Sequence, residues 1–523
     1  MNNVATNDSM FHDLWRQDPE TDLMENFIIK TDSYKVTHWN QYPKGTTKIV
    51  SYLEARGCTP KKKDGTNLYN YTTFFGLQFI LMRHFCGRQI TQFKLEQAKI
   101  FCKAHLGSDL VNEAGWQHII DRYDGYLPLK INAVKEGTKV PLKNALMVIE
   151  NEDEKLFFLN DIVLHWLTNY SETLLSQVWY PTTICTNGSH ARGILIEKQK
   201  KTCDTVFVDF GLHDFGFRGT PEYMTSCLGG MAHLVNFNGT DTMPAIVLAN
   251  KVYNANFYKH PSVEISLHKD GTMNFTMFGA SVVATEHSTT TSWGRWGERD
   301  CVLNILRTFP NVIKSVVGDS YDIDAFATML HSDAEIKELI LNDGPNGKLV
   351  LRPDSGFPPE EDCRLMQNLW DGFGGHVNTK GYKVLNPKIG LIQGDGIDLQ
   401  MLIDILDAVD AIGFATSNIV FGSGGGLLQK FDRDTLKLAI KCNFAVINGE
   451  FVDVQKSPKG AGSYKKSKAG RLALMLDENG VFYTKEHCTE EESLLGYLEP
   501  VFRLGHLVRF QDFEEIRSIA RAA

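Results

Sequence analysis

The chain has 523 residues, 43% of them apolar and 22% charged, which is enough for two or three domains and a large core. Its formal net charge of −9 argues against non-specific binding to nucleic acid or to anionic membrane, because both need a basic surface. Any phosphate it handles must therefore meet local cations rather than an overall positive field.

The opening stretch, MNNVATNDSMFHDLWRQDPETDLMENF, is polar and acidic, without the basic start and apolar run of a signal peptide. Residues 1–26 are expected to form a poorly ordered extension. No run of about 18 apolar residues occurs, so no membrane span is expected. The ten cysteines show neither CxxC nor metal-ligand spacing and read as reduced thiols of a cytoplasmic protein. From Phe27 to about residue 175 the pattern is mixed, and YTTFFGLQFILMRHF suits buried helices.

From about residue 205 a unit recurs: a short apolar run, a cluster of Gly, Asp, Ser, Arg or His, then a helical or loop segment. Seven such units are present: 205–219, 233–242, 280–289, 314–324, 348–356, 388–398 and 418–426. Between the last two, DLQMLIDILDAVDA carries apolar residues at helical spacing. Strands alternating with helices imply a parallel sheet, and this many units suggests a closed or nearly closed α/β barrel. The polar clusters would then sit at the C-terminal strand ends, where such barrels assemble active sites. Beyond Arg433, TLKLAIKCNFAVI alternates with period two, as an antiparallel strand does.

The last cluster, FGSGGGLLQK (421–430), lacks the GxxxxGK[ST] of a Walker-type loop. Apolar residues flank it too closely for a linker. Strand, glycines and then a helix start is an arrangement that presents backbone N–H groups to an anion, and a tight structural turn is the competing explanation.

TDSYKVTHWNQYP (31–43), LHDFGFRG (212–219), HLVNFNGTDT (233–242), EHST (286–289), GDSYDI (318–323), LRPDSG (351–356) and QGDGID (393–398) precede that glycine run. In this order the motifs resemble the nicotinamide phosphoribosyltransferase family, type II phosphoribosyltransferases, from residue 27 to nearly the C-terminus. The resemblance implies an irregular, incomplete TIM-like α/β barrel over 176–439. It also implies an α/β sandwich domain formed by 27–175 and 440–523. The implied reaction joins nicotinamide to 5-phosphoribosyl 1-pyrophosphate, giving nicotinamide mononucleotide and pyrophosphate for NAD salvage. The implied assembly is a homodimer with active sites at the interface.

By the same resemblance, Phe215 and a Tyr34 from the other subunit stack on the two faces of the pyridine ring. Asp241 accepts from the carboxamide NH2 and would oppose the carboxylate of nicotinic acid, so it favours the amide. Taken alone, an Asp after Gly-Thr is a turn or a cap. Arg218, Arg352 and Asp354 surround nicotinamide, ribose and phosphate; Gly394 and Asp395 approach the ribose. Gly424, Gly425, Arg433, Lys441 and Lys465 are implied phosphate contacts. Mg2+ would be held mainly by pyrophosphate oxygens and water, which fits the lack of a dedicated metal motif. His287 is implied to be phosphorylated by ATP, with Asp319 orienting it and Glu286 beside it. Phe217 and Gly318 stand where relatives carry tyrosine and serine. The competing readings are a nicotinate phosphoribosyltransferase, a non-catalytic dimeric binding protein on this scaffold, and a sugar-phosphate isomerase or lyase.

Overall fold

A computed structural model describes residues 18–153, 162–254, 276–456 and 466–522. The chain folds as two compact units. The first comprises the residues up to Lys61, Asn70–Thr182 and Arg433–Asp512; the second comprises Lys62–Tyr69, Thr183–Asp432 and the residues from Phe513 on.

The first unit is built on a seven-stranded sheet whose pairs are all antiparallel. Its long strand Thr46–Ala55 pairs with Leu438–Ile447, the segment whose period-two alternation announced a strand. YTTFFGLQFILMRHF is not helical throughout. Tyr71–Thr73 forms a short strand against Lys139–Pro141, and the helix starts only at Leu77. Thr72 and Thr73 are β-branched, and Gly76 breaks the chain direction with φ of 97°.

The second unit carries the site. Its sheet has seven strands, numbered here in chain order: β1 (Leu212–Asp214), β2 (Gly239–Thr240), β3 (Val283–Ala284), β4 (Ile313–Val317), β5 (Lys348–Arg352), β6 (Ile389–Gln393) and β7 (Ile419–Ser423). The order across the sheet is β2-β1-β7-β6-β5-β4-β3, with every pair parallel. The two edges approach through an isolated parallel bridge between Gly239 and Ala280, three residues before β3. The sheet therefore curls into an incomplete TIM-like barrel, and each of the seven sequence units contributes one strand.

Strand positions within the units differ from the apolar runs that signalled them. His233 and Leu234 end the helix Tyr223–Leu234, and β2 begins five residues later at Gly239. Thr205–Val208 likewise precedes β1 and lies outside it. A buried apolar run does not distinguish a helix end from a strand, and here the parallel ladder decides.

Helix Leu399–Ala411 follows its sequence pattern closely. Leu402, Ile405, Leu406 and Val409 are buried at spacings of three and four, each contributing about 1.5–3 kcal/mol by leaving water. Asp398 caps it, accepting from the N–H groups of Gln400 (3.1 Å) and Met401 (3.0 Å).

Candidate active site

The C-terminal strand ends of the second unit surround a cavity of about 930 Å³. Phe215 and Arg218 follow β1, Asp241 follows β2, and Glu286 follows β3. Arg352 ends β5 with Asp354 just beyond it; Gly394 follows β6, and Gly424 and Gly425 follow β7. Each strand stops where its ladder stops, so chemistry-bearing residues from six strand ends share one concavity.

The glycine run divides into two kinds of position. A Cβ on Gly422 would fall 1.9 Å from Cε2 of the Phe215 ring, so that ring is seated directly over the glycine. A Cβ on Gly426 would fall 2.3 Å from the Ile397 carbonyl oxygen. Gly424 has only the Phe215 carbonyl oxygen at 3.6 Å, and Gly425 has nothing within 4 Å. Neither is demanded by protein packing, yet both line the cavity. The chain then enters the short helix Gly425–Leu428, whose first N–H groups lack intrahelical acceptors.

Polar groups around the cavity are held by specific neighbours. Ser281 Oγ donates to Asp241 Oδ1, and the Asp241 N–H donates to the Asp214 carbonyl oxygen at 2.9 Å. Arg352 Nη2 donates to the Thr285 carbonyl oxygen at 3.0 Å. Asp214 is fully buried and accepts from the Gly216 N–H at 2.7 Å; burial pushes its carboxyl up to about 6.

His287 Nε2 lies 3.0 Å from Asp319 Oδ1, and its Nδ1 lies 3.8 Å from Asp354 Oδ2. A carboxylate only accepts, so Nε2 donates to Asp319, and in the neutral ring the lone pair then lies on Nδ1. The Asp319 side chain is 6% exposed and that of His287 is 44% exposed, which gives a buried anchor for an accessible ring. Glu286 caps the helix His287–Thr291 reciprocally with Thr289 and accepts from Ser288 Oγ. Its carboxylate is thus occupied in forming the helix that carries the histidine.

A second, more apolar cavity of about 350 Å³ shares Phe215, Asp241 and Ala284 with the first. His213, Val350 and Ile392 are among its lining residues, as is Lys348, whose ammonium burial holds below the usual lysine range.

Not every expected residue lies in the second unit. Asp395 does, exposed, one residue past Gly394. Tyr34, Arg433 and Lys441 belong to the first unit, and Lys465 lies outside the described residues. Tyr34 is 61% exposed, Arg433 is exposed, and Lys441 is half-buried on the strand Leu438–Ile447. Burial, and then Arg56, lowers the Lys441 ammonium. Ser281, Thr285, Thr220 and Tyr223 also line these cavities, without a sequence motif that marks them. Ser281 and Thr285 lie in the ASVVATEHST unit, but neither a hydroxyl nor a backbone carbonyl in a loop carries a periodic signal.

Residues 210–506 match the model of the nicotinate phosphoribosyltransferase (NAPRTase) family. The chain belongs to that family. Residues 26–131 match the nicotinamide phosphoribosyltransferase N-terminal domain. The chain is 41% identical over 510 residues to a nicotinamide phosphoribosyltransferase of Xanthomonas campestris pv. campestris, with 96% of this chain and 99% of the relative covered. It is 31% identical over 524 residues to a nicotinamide phosphoribosyltransferase of Acinetobacter baylyi, covering 94% and 96%. Among solved structures, nicotinate-nucleotide pyrophosphorylase from Pyrococcus furiosus superposes with a TM-score of 0.54 at 13% identity, covering 95% of each chain, a likeness of fold alone. Within the NAPRTase family fold, the aligned strand ends of this chain fall in the family-matched segment, and every residue named above around the first cavity lies between 210 and 506. Among the described residues no helix is long and apolar enough to cross a membrane.

Proposed function

We propose that this chain is a nicotinamide phosphoribosyltransferase, transferring the 5-phosphoribosyl group of phosphoribosyl pyrophosphate to the ring nitrogen of nicotinamide. The observation that carries this is the convergence of Phe215, Asp241, Arg352, Asp354, Gly394, Gly424 and Gly425 on one cavity, in a chain whose relatives bear that name. Phe215 offers one face for an offset-stacked pyridine, worth roughly 0.5–1.5 kcal/mol beyond burial. The exposed Tyr34 ring suits the second face, supplied from the partner subunit of a homodimer.

Asp241 sets the amide over the acid. Ser281 occupies Oδ1 and fixes the carboxylate, which leaves Oδ2 to accept from the carboxamide NH2. A nicotinate carboxylate placed there would meet a like charge. Arg352, tied to the Thr285 carbonyl, and Arg218 supply the cations that meet developing negative charge on the departing pyrophosphate. The pyridine nitrogen is already a neutral nucleophile, so this chain needs no general base and positioning is its main contribution.

Gly424 and Gly425 let the backbone approach the 5′-phosphate, because no protein atom fills the space a side chain would take at Gly425. We assign Arg433, Lys441 and Lys465 to the phosphates and Asp354 and Asp395 to the ribose. Among the described residues no group of three His, Cys, Asp or Glu gathers to hold a metal ion. Mg2+ would be held mainly by the pyrophosphate oxygens and water, and would supply positive charge against the leaving group. His287, with Nε2 anchored on Asp319, presents Nδ1 to the γ-phosphorus of ATP. The N–P bond forms as the bond to ADP breaks, and hydrolysis of the phosphohistidine drives synthesis. Cysteines read as reduced thiols suit a cytoplasmic location.

The test is product formation from nicotinamide, phosphoribosyl pyrophosphate and Mg2+, compared with nicotinate as acceptor, for the native chain and Asp241→Asn. Loss of amide preference in the variant supports the assignment; a native preference for nicotinate overturns it.

A further inference from the structure

Asp362 lies on the helix Pro358–Phe373 among Leu365, Met366, Leu369 and Phe373, and it is fully buried. An acidic residue on such a face costs stability unless its oxygens are used. Its Oδ1 accepts from Gln393 Nε2 at 3.1 Å, and its Oδ2 has no hydrogen-bond partner among the described residues. Gln393, also fully buried, ends β6, and its Oε1 accepts the Asp395 N–H at 2.9 Å. The backbone donor at Oε1 fixes which way the Gln393 amide faces, and Nε2 is thereby turned onto the carboxyl.

The turn at the end of this relay is tightly placed. Gly396 takes φ of 63°, and a Cβ on Gly394 would lie 3.6 Å from Arg352 Cδ, 3.7 Å from Phe215 Cε2 and 3.8 Å from Asp354 Oδ1. A small rotation of the turn therefore reaches three residues of the cavity at once. We propose that Asp362 is a positioning residue for the turn Gly394–Gly396, acting through Gln393 to hold the backbone that meets the ribose of phosphoribosyl pyrophosphate. This rests on the substrate assigned above. Burial, with Glu361 alongside, pushes the Asp362 carboxyl up to about 8, so at neutral pH it is held as the acid, with a carbonyl oxygen for Gln393.

The test uses the full-length protein with Asp362→Leu, Asp362→Asn and Gln393→Met. The readouts are the separate KM values for phosphoribosyl pyrophosphate and nicotinamide, and hydrogen exchange of the Asp395 amide. Asp362→Leu strands a buried amide and should raise the KM for phosphoribosyl pyrophosphate about tenfold, more than it raises that for nicotinamide, and speed Asp395 exchange about tenfold or more. Gln393→Met should do the same from the other end, which covers a Leu variant that fails to fold. Asp362→Asn keeps an acceptor oxygen and should restore both readouts. Unchanged Asp395 exchange in both Asp362→Leu and Gln393→Met overturns the relay, as does an Asn variant that behaves like Leu. If the native chain makes no product, the substrate assignment fails while the exchange measurement still decides the relay.

Discussion

Gly422 and Gly425, three residues apart, should respond to the same substitution in opposite ways. In Gly422→Ala the new methyl would lie 1.9, 2.3 and 2.7 Å from three carbons of the Phe215 ring, where ordinary contact begins at 3.4 Å. The ring must retreat by roughly 1.5 Å from the place where it faces the cavity, or the strand must bend. Overpacking of this kind costs about 1–3 kcal/mol of stability. Losing the stacked geometry removes roughly 0.5–1.5 kcal/mol from pyridine binding, which is about a two- to twelvefold rise in the KM for nicotinamide. Gly425→Ala meets no protein atom within 4 Å, so its melting temperature should stay within about a degree or two. Its methyl occupies space assigned to the 5′-phosphate, so the KM for phosphoribosyl pyrophosphate should rise while that for nicotinamide holds. Thermal melts and two-substrate kinetics on both variants provide the comparison. A Gly422→Ala protein with native stability and native nicotinamide KM would refute the placement of Phe215. A Gly425→Ala protein with unchanged affinity for phosphoribosyl pyrophosphate would return the glycine run to a structural turn.

His287→Ala should retain basal synthesis of nicotinamide mononucleotide and lose its stimulation by ATP; unchanged stimulation removes Nδ1 from that role. Asp362 gives a pH signature in stability. Its carboxyl holds a proton up to about pH 8 in the folded chain but releases it near pH 4 when unfolded, so native stability falls as pH rises from about 4 to 8 and levels off above. Asp362→Asn removes this slope, and its melting temperature relative to native should climb steadily between pH 5 and pH 8; a pH-independent difference would sink that assignment. Asp398→Ala deletes the cap of the helix Leu399–Ala411 and should cost about 1 kcal/mol, read as a lower denaturant midpoint at unchanged slope.

The barrel was legible because its period is coarse. Seven apolar runs ending in polar clusters give seven parallel strands, and the helical spacing of residues 399–411 stands out locally. Strand positions were not legible where a helix end is itself apolar, as at His233 and Leu234. Site residues such as Phe215, after β1, and Arg352, at the end of β5, were legible because they stand in motifs that resemble the family's. Their supports were not. Ser281 is an ordinary loop hydroxyl, the Thr285 carbonyl carries no sequence signal, and Asp362 in PPEEDCRLMQ reads as one more acidic residue of a solvated helix start. Only packing shows that it faces β6 and Gln393. The glycine run likewise reads as uniform in sequence, although Gly422 and Gly426 serve the protein's own packing and Gly425 leaves open space.

Initial rates with nicotinamide and with nicotinate, each with phosphoribosyl pyrophosphate and Mg2+ and with or without ATP, test the assignment most directly. Nicotinamide mononucleotide should form, nicotinamide should be preferred by a wide margin, and Asp241→Asn should narrow that margin. No product from nicotinamide, or a native preference for nicotinate, would contradict it.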